Sequence, residues 1–299
     1  MPDDSPARVL AAVRPLEADR LTVAIVTRNR VASLLGTLDD LAALPERPHV
    51  VVVDNGSTDG TADGVAARHP GVQVVALKRN MGAAGRTVAA GLVDSDYIAF
   101  CDDDSGWAPG ALSAAAAMLD AHPSLALLAA KVLVGPTQRV DPVCVAMSRS
   151  PLTPYAGLPG TPILGFVACG AVVRRTAYLE VGGFHRRYGV GGEERLLALD
   201  LAEAGWHLSY VEAVVALHRP EPSPSRDGRA VRELRNDLWT AWLRLPVAEA
   251  VRVTASLVRT RPGRTGWRAG ATAAAGLPWI ARERRPVSAD LAAELRRIS

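Results

Sequence analysis

Four short apolar runs alternate with amphipathic stretches in the first third of the chain. Each run is apolar and too short for a buried helix, so it predicts a buried strand. The stretches between the runs carry apolar residues at helical spacing and predict helices. This alternation predicts an α/β fold with a mostly parallel sheet that helices cover on both faces. The four predicted strands are 21–27, 49–53, 72–77 and 97–101.

Polar residues stand at the ends of three of these strands. Ligands of parallel sheets bind beyond the carboxyl ends of the strands, so these polar ends should meet at one edge and form a site. In an extended segment, Asp102 and Asp104 would share one face and Asp103 would point away. The residues are Thr27 and Asn29 at the first strand, Asp54 at the second, and Asp102, Asp103 and Asp104 at the fourth.

Three consecutive carboxylates repel one another, so a positive charge should offset them. A divalent cation is one candidate, because hard cations take oxygen ligands and bridge to substrate phosphates. A solvated acidic turn ahead of the next helix is the other interpretation, and these residues alone do not decide between the two.

The rest of the chain divides near residue 220. Further strands are predicted up to a closing strand that stops at His218, and a proline-rich break follows Pro220. Helical patterns then continue to the end. The sequence therefore predicts a loose leader at 1–20, an α/β domain at 21–220 and a helical appendage at 221–299. The elements predicted after the fourth strand are helices at 111–121 and 193–204 and extended pieces at 125–134, 139–145, 165–174 and 206–217.

Charge distinguishes the appendage from the domain. The formal net charge is only +3, but 14 arginines stand against 6 acidic residues from Gly228 onward. A basic segment on an acidic body predicts peripheral contact with an anionic membrane surface. Packing of the helices, with the four tryptophans of this segment inside, and homodimerisation are the alternatives. We expect no nucleic-acid partner.

The cysteines and the N-terminus bear on location. Cys101, Cys144 and Cys169 have no metal or redox spacing and predict free buried thiols in a reducing compartment. The first residues lack a signal-peptide pattern, and no apolar window is long enough to span a bilayer. We therefore expect a cytoplasmic protein, at the inner face of the membrane if the basic segment binds there.

The order of the polar motifs resembles that of the family 2 glycosyltransferases with the GT-A fold. Each motif alone is weak, but together they cover most of the chain, and no Walker-type or dinucleotide fingerprint competes. The resemblance implies a Rossmann-like sheet, a nucleotide-sugar donor, inversion at the anomeric carbon and a divalent metal, Mn²⁺ or Mg²⁺. The seven matching pieces are 26–30, 53–60, 80–82, 102–104, 182–184, 191–194 and His218.

The resemblance also implies roles for individual residues. Glu194 stands where the family usually has an aspartate as catalytic base, and Glu193 matches the glutamate beside it. The implied metal ligands are Asp104, Asp102 and His218. The implied nucleotide-sugar site comprises Thr27, Asn29, Asp54, Asn80, Arg86, Asp102 and Asp103, with Arg86 as a candidate clamp for the diphosphate.

The chemistry requires such groups on its own terms. A divalent ion stabilises the charge of a leaving nucleoside diphosphate, and a carboxylate can take the proton of the attacking hydroxyl. Two adjacent glutamates tend to raise one pKa toward the working range. The acceptor could be an envelope glycan, a lipid carrier or a small metabolite.

Three positions depart from the family pattern: Glu194 replaces the usual aspartate, Leu196 stands where a further aspartate is common, and Arg28 replaces an aromatic residue. These departures leave open a nucleotide-sugar binding protein without catalysis. A sugar-phosphate nucleotidyltransferase is less favoured, because such enzymes carry a glycine-rich loop after the first strand.

Overall fold

The computed structural model describes residues 19–220, 228–261 and 263–298. All but the last two residues of the predicted leader lie outside these ranges, and so does the start of the predicted appendage at 221–227.

Ten strands within the described ranges form one curled sheet. Its order is β3-β2-β1-β4-β9-β6-β10-β5, with β7 beside β6 and β8 beside β10. The strands are β1 Leu21–Thr27, β2 His49–Asp54, β3 Gln73–Ala76, β4 Tyr97–Asp102, β5 Ser105–Trp107, β6 Leu125–Val134, β7 Arg139–Val140, β8 Thr161–Pro162, β9 Ala171–Arg174 and β10 His207–His218.

The sheet has a parallel half and a mixed half. Strands β3, β2, β1 and β4 are all parallel, as the alternation of strand and helix predicts. Strand β9 then enters antiparallel between β4 and β6, and β10 runs parallel to β6. The α/β architecture is therefore confirmed. The half of the sheet made by the four strands of the strand–helix alternation is entirely parallel.

Twelve helices in the described ranges cover the sheet and form the C-terminal segment. None of them is both long and apolar enough to cross a membrane. Helix α1 forms from the stretch between the first two strands and buries Leu34, Leu38 and Leu41. The helices are α1 Val31–Ala43, α2 Thr61–Arg68, α3 Gly85–Gly91, α4 Ala111–Ala121, α5 Pro142–Ser148, α6 Arg175–Glu180, α7 Glu193–Glu203, α8 Arg229–Arg244, α9 Val247–Thr260, α10 Arg264–Ala274, α11 Leu277–Glu283 and α12 Ala289–Arg297.

The extended piece predicted at 139–145 is wrong for most of its length. Only the two residues of β7 are extended, and α5 follows. Asp141 caps this helix by accepting a hydrogen bond from the Val143 amide at 2.8 Å, and Pro142 occupies its first turn. An N-cap aspartate followed by proline is a strong helix start, and it overrides the β-branched residues of the segment.

The ends of three parallel strands meet at one edge, as predicted. Thr27 pairs in register with Asp54 on one side of β1, and Val26 pairs with Asp102 on the other. Strand β1 thus brings the polar ends of β2 and β4 together. The three cysteines are buried and free, also as predicted.

The C-terminal helices pack on the α/β domain through two hydrophobic clusters. In one, Leu199 of α7 meets residues of α8, α9 and α12. In the other, Tyr188 meets Trp239 and Trp279. Trp267 is different, because it is 78 % exposed. Packing therefore accounts for part of this segment, while its membrane contact, its homodimerisation and a domain boundary near 220 stay predictions.

Candidate functional site

The three aspartates Asp102, Asp103 and Asp104 form an acidic turn that connects β4 to β5. Strand β5 pairs with the end of β10, where Ser105 lies opposite His218. The amide of Arg219 donates to the Asp104 carbonyl at 2.8 Å. This pairing brings the Asp104 carboxylate to 3.4 Å from His218 Nε2, and the hydrogen bond to Asp104 raises the pKa of His218.

Arg30 bridges two carboxylates of the acidic turn. Its Nε lies 2.7 Å from Asp103 Oδ1, and its Nη2 donates to Asp104 Oδ2 at 2.8 Å. Asp103 also accepts a hydrogen bond from the Thr27 hydroxyl at 2.8 Å. Burial raises the pKa of Asp103 to about 6, although Thr27 and Arg30 work in the opposite direction. A guanidinium thus supplies part of the positive charge that the three carboxylates require.

Sequence reasoning did not single out Arg30. The available signal was its place in the polar stretch directly after β1, at the sheet edge where the carboxylates were expected. The predicted alternation is wrong, because the segment after Asp102 is a turn: Asp103 and Asp104 both contact Arg30, while Asp102 pairs with Arg86.

Arg86 lies beneath the acidic turn rather than at the surface. Its side chain is 3 % exposed and pairs with Asp102 Oδ1. The guanidinium carbon is 5.8 Å from the ring centre of Phe100 and 5.7 Å from that of Phe184. The two rings and the carboxylate hold the cation in one place.

Three carboxylates sustain the charge of Arg86. Burial alone would lower its pKa, but Asp102, Glu193 and Glu194 outweigh burial and raise the pKa above its ordinary value. The same attraction partly offsets the burial that raises the pKa of both glutamates. Arg86 therefore links the acidic turn electrostatically to the glutamate pair.

The two glutamates at the start of α7 differ in their surroundings. Glu193 is 2 % exposed and accepts a hydrogen bond from the Gly191 amide. Glu194 is only partly buried. Within the described ranges, its carboxylate accepts a hydrogen bond only from its own backbone amide. Burial raises the pKa of both groups, and the charge of Glu194 raises that of Glu193 further. Of the two, Glu194 has the carboxylate that is available to a substrate.

The loops after β1 and β2 are joined by hydrogen bonds. Asp54 Oδ1 accepts from the Ser57 amide at 2.9 Å, which is the turn-capping role. The Asn29 amide donates to Ser57 Oγ, and its side-chain oxygen accepts from the Thr58 amide, both at 2.8 Å. Asp54 Oδ2 accepts no hydrogen bond from a described residue. One oxygen of Asp54 thus remains for a ligand.

Asn80 shapes a turn that touches the glycine loop ahead of α7. Its side-chain oxygen accepts from the Gly82 amide at 2.8 Å. Gly82 has φ of +58°, and a Cβ there would lie 2.6 Å from the Gly189 backbone, so only glycine fits. Asn55, which the sequence analysis left without a role, accepts from the Met81 amide at 2.9 Å and fixes the same turn.

Helix α8 holds the glycine loop from the other side. Asn236 is fully buried, and its amide group donates to the carbonyls of Tyr188 at 3.1 Å and Gly191 at 2.6 Å. The Tyr188 hydroxyl lies 2.9 Å from Thr240 Oγ1. The position of the glutamate pair therefore depends on the C-terminal segment. Sequence reasoning missed Asn236 because a helical pattern does not show which polar residue faces inward.

We expect Asn236→Ala to lower the free energy of unfolding by about 1–3 kcal/mol, because the Gly191 carbonyl would stay buried without its donor. Turnover should fall as well, since the loop ahead of Glu193 would lose its tie. Urea denaturation measures the first effect. The control is Thr272→Ala on exposed α10, whose hydroxyl bonds only to its own helix. Equal stability of the two variants would contradict the role of Asn236.

The acidic turn and the neighbouring His218 offer the types of atom that bind a divalent cation. Carboxylate oxygen and imidazole nitrogen both bind Mn²⁺, and Asp104 and His218 already lie together. Asp102 is 38 % exposed, but its carboxylate turns to Arg86. Consequently no three His, Cys, Asp or Glu side chains of the described residues converge as a metal site. Two of the three predicted ligands stand together.

Comparison of the sequence with known proteins agrees with this arrangement. The profile of "Glycosyl transferase family 2" matches residues 22–182. An N-acetylglucosaminyl-diphospho-decaprenol L-rhamnosyltransferase of Mycobacterium tuberculosis is 30 % identical over 250 residues, which cover 70 % of this chain and 79 % of the relative. An uncharacterised glycosyltransferase of Mycobacterium bovis is 31 % identical over 207 residues, covering 64 % and 84 %.

Solved structures share the fold. A mannosyltransferase of Pyrobaculum calidifontis in complex with GDP-Man and Mn²⁺ superposes with a TM-score of 0.59 at 20 % identity, covering 98 % of this chain and 91 % of that one. TarS of S. aureus in complex with UDP-GlcNAc gives 0.60 at 19 % identity, covering 79 % and 71 %. These likenesses confirm the predicted GT-A fold. Together with the family profile and the rhamnosyltransferase, they show that the chain is a glycosyltransferase and belongs to glycosyl transferase family 2.

Proposed function

We propose that the enzyme transfers a sugar from a nucleoside-diphosphate sugar to a hydroxyl acceptor, with inversion and with the help of a divalent cation. The observation that carries the proposal is that Arg86, which pairs with Asp102 of the acidic turn, also interacts electrostatically with Glu194. A partly buried carboxylate of raised pKa is thus linked to the strand ends, where parallel sheets bind nucleotides.

Glu194 serves as the general base in this proposal. Its carboxylate takes the proton of the acceptor hydroxyl while that oxygen attacks the anomeric carbon. The bond from the anomeric carbon to the diphosphate oxygen breaks on the opposite side, and its electron pair leaves with the nucleoside diphosphate. Glu193, bound to the Gly191 amide, holds the loop, and the charge of Glu194 helps to raise the pKa of Glu193.

The acidic turn would hold the donor. Asp104 and His218, with Asp102 after it leaves Arg86, would bind Mn²⁺ or Mg²⁺. Such an ion would offset the charge that develops on the leaving diphosphate. Asp54 Oδ2 is the acceptor available to a nucleobase N–H, while Thr27, Asn29 and Asn80 shape the surrounding loops. The Mn²⁺ and GDP-Man of the mannosyltransferase structure support this placement.

The lipid carrier is the acceptor class that we favour. The rhamnosyltransferase relative is named for a diphospho-decaprenol acceptor, and its similarity extends over 70 % of this chain. A hydroxyl on a sugar that is linked through diphosphate to a lipid would satisfy the same base and the same site. Envelope glycans and small metabolites have no corresponding support.

The test is a thermal-shift screen against UDP, GDP and dTDP sugars, with and without manganese. We expect one base to raise the melting temperature, and manganese to increase that shift. Asp104→Ala should abolish the manganese-dependent part while the protein stays folded. Asp94→Ala is the matched control, because that carboxylate is fully exposed. Manganese-dependent tightening that survives in Asp104→Ala would refute the metal assignment.

The pH dependence of turnover tests the glutamate pair. The base must be ionised, so turnover should rise with pH through the raised pKa of Glu194. Burial and the charge of Glu194 raise the pKa of Glu193 to about 8, so Glu193 is largely neutral where Glu194 ionises. The rising limb of the kcat profile should therefore stay in place in Glu193→Gln and disappear in Glu194→Gln. A limb that disappears in Glu193→Gln instead would contradict the assignment.

A further inference from the structure

A second concave region lies apart from the acidic turn, between the C-terminal helices α8, α9, α10 and α11. Its volume is about 1150 Å³, and its walls are mainly apolar, with Leu238, Trp239 and Leu257 among them. Pockets for small ligands have about 300–1,000 Å³, so this groove can take an extended apolar chain. No residue of the acidic turn or of the glutamate pair lines it.

Three cations border the groove. Arg261, Arg264 and Arg268 line it together, and no acidic residue does. None of the three side chains forms an ion pair with a described residue. Elsewhere in the C-terminal segment, arginines such as Arg244 and Arg296 are paired with carboxylates. The groove thus combines an apolar wall with positive charge that the described chain does not neutralise.

Trp267 is the second feature that indicates a binding surface. It lines the groove and is 78 % exposed, although Trp239 and Trp279 of the same segment are buried. A large aromatic side chain left in solvent beside unpaired cations is typical of a binding surface. The chemistry that fits is an amphiphile with a long apolar chain and an anionic head.

Helix α8 connects the groove with the catalytic loop. Asn236 on this helix binds the Tyr188 and Gly191 carbonyls, and Leu234 and Leu238 of the same helix line the groove. Positions two residues apart on a helix point in different directions, so one helix serves both sites. The groove and the glycine loop therefore lie on different faces of α8.

We propose that the groove binds the isoprenoid chain of a lipid-diphosphate acceptor and that Arg261, Arg264 and Arg268 contact its diphosphate. This inference rests on the proposed sugar transfer to a lipid carrier. A flat membrane surface fits less well, because the apolar residues line a concave wall. A second copy across a twofold axis would bring the two sets of arginines together, and like charges would repel.

The experiment uses the whole protein and geranylgeranyl diphosphate as the probe, with tryptophan fluorescence and calorimetry as readouts. We expect saturable binding that weakens as salt is added. Trp267→Ala should weaken it about tenfold, the loss that corresponds to part of a buried aromatic side chain. Arg264→Ala should weaken binding of geranylgeranyl diphosphate but not of geranylgeraniol, which lacks the anionic head.

Two variants outside the groove serve as controls. Arg282→Ala removes an exposed arginine of the same segment, and Val251→Ala shortens an exposed apolar side chain. Both should bind the probe as the parent does. Donor binding with manganese should be unchanged in all four variants, because none of these residues belongs to the acidic turn.

Three results would overturn the proposal. The first is probe binding that is equal in Trp267→Ala, Arg264→Ala and the parent. The second is binding to phosphatidylglycerol vesicles that depends on these residues while the probe does not bind, which would make the groove a membrane contact. The third is a dimer in sedimentation that Trp267→Ala dissolves. If the probe binds but no nucleoside diphosphate is released from any donor, the proposed function fails and the groove stands.

Discussion

Arg86→Met is expected to destabilise the fold by about 3–5 kcal/mol, the cost of breaking a buried ion pair and leaving its partner uncompensated. The side chain is 3 % exposed, and it pairs with Asp102 while Glu193 and Glu194 lie within its field. Methionine fills a similar volume against Phe100 and Phe184, so the lower free energy of unfolding would come mainly from the missing charge and not from poorer packing. Urea denaturation at neutral pH measures it.

The sign of the pH effect provides a check on this explanation. The pKa values of Glu193 and Glu194 are raised by burial, so these groups become neutral as the pH falls. Neutral glutamates do not need Arg86, so the difference between Arg86→Met and the parent should become smaller as the pH falls, down to the part that comes from the pair with Asp102. Arg28→Met, at an exposed position, is the control. A difference that stays constant with pH would mean that shape, not charge, explains the loss.

Glu194→Gln is expected to lower turnover by about a hundredfold or more, the range for removing a general base. The amide keeps the size of the side chain but cannot accept the hydroxyl proton. Because the base acts on the acceptor only, the affinity for the nucleotide sugar should not change. Turnover is measured as release of the nucleoside diphosphate, and donor affinity is measured by calorimetry.

Glu194→Asp refines this prediction. The family usually has aspartate here, so the shorter carboxylate has the right chemistry but stands one methylene further back. We expect turnover between that of the parent and that of Glu194→Gln. An aspartate variant as inactive as the glutamine variant would show that the reach of glutamate is part of this site.

The sequence was sufficient for the parallel half of the sheet and its polar edge. Each strand there is a continuous run of mostly apolar residues, and its polar end follows without a gap, so local pattern and topology agree. The bounds of α1 could be predicted for the same reason, since its leucines fall on one stripe.

Contacts between distant segments could not be predicted. Arg30 contacts Asp103 and Asp104, which are 73 and 74 positions away in the sequence. The hydrophobic periodicity of a sequence does not indicate such distant ion pairs. Asn236 looks like any polar residue of an amphipathic helix, and only the docking of α8 on the glycine loop gives it two carbonyl partners.

Our main proposal is that Glu194, and not Glu193, takes the proton of the acceptor. Its most direct test compares turnover of Glu194→Gln and Glu193→Gln at one pH, with donor affinity measured on both. We expect Glu194→Gln to be nearly inactive with normal donor affinity. Glu193→Gln should keep most of its activity near neutral pH. If Glu193→Gln is inactive and Glu194→Gln is nearly normal, the base has been assigned to the wrong glutamate.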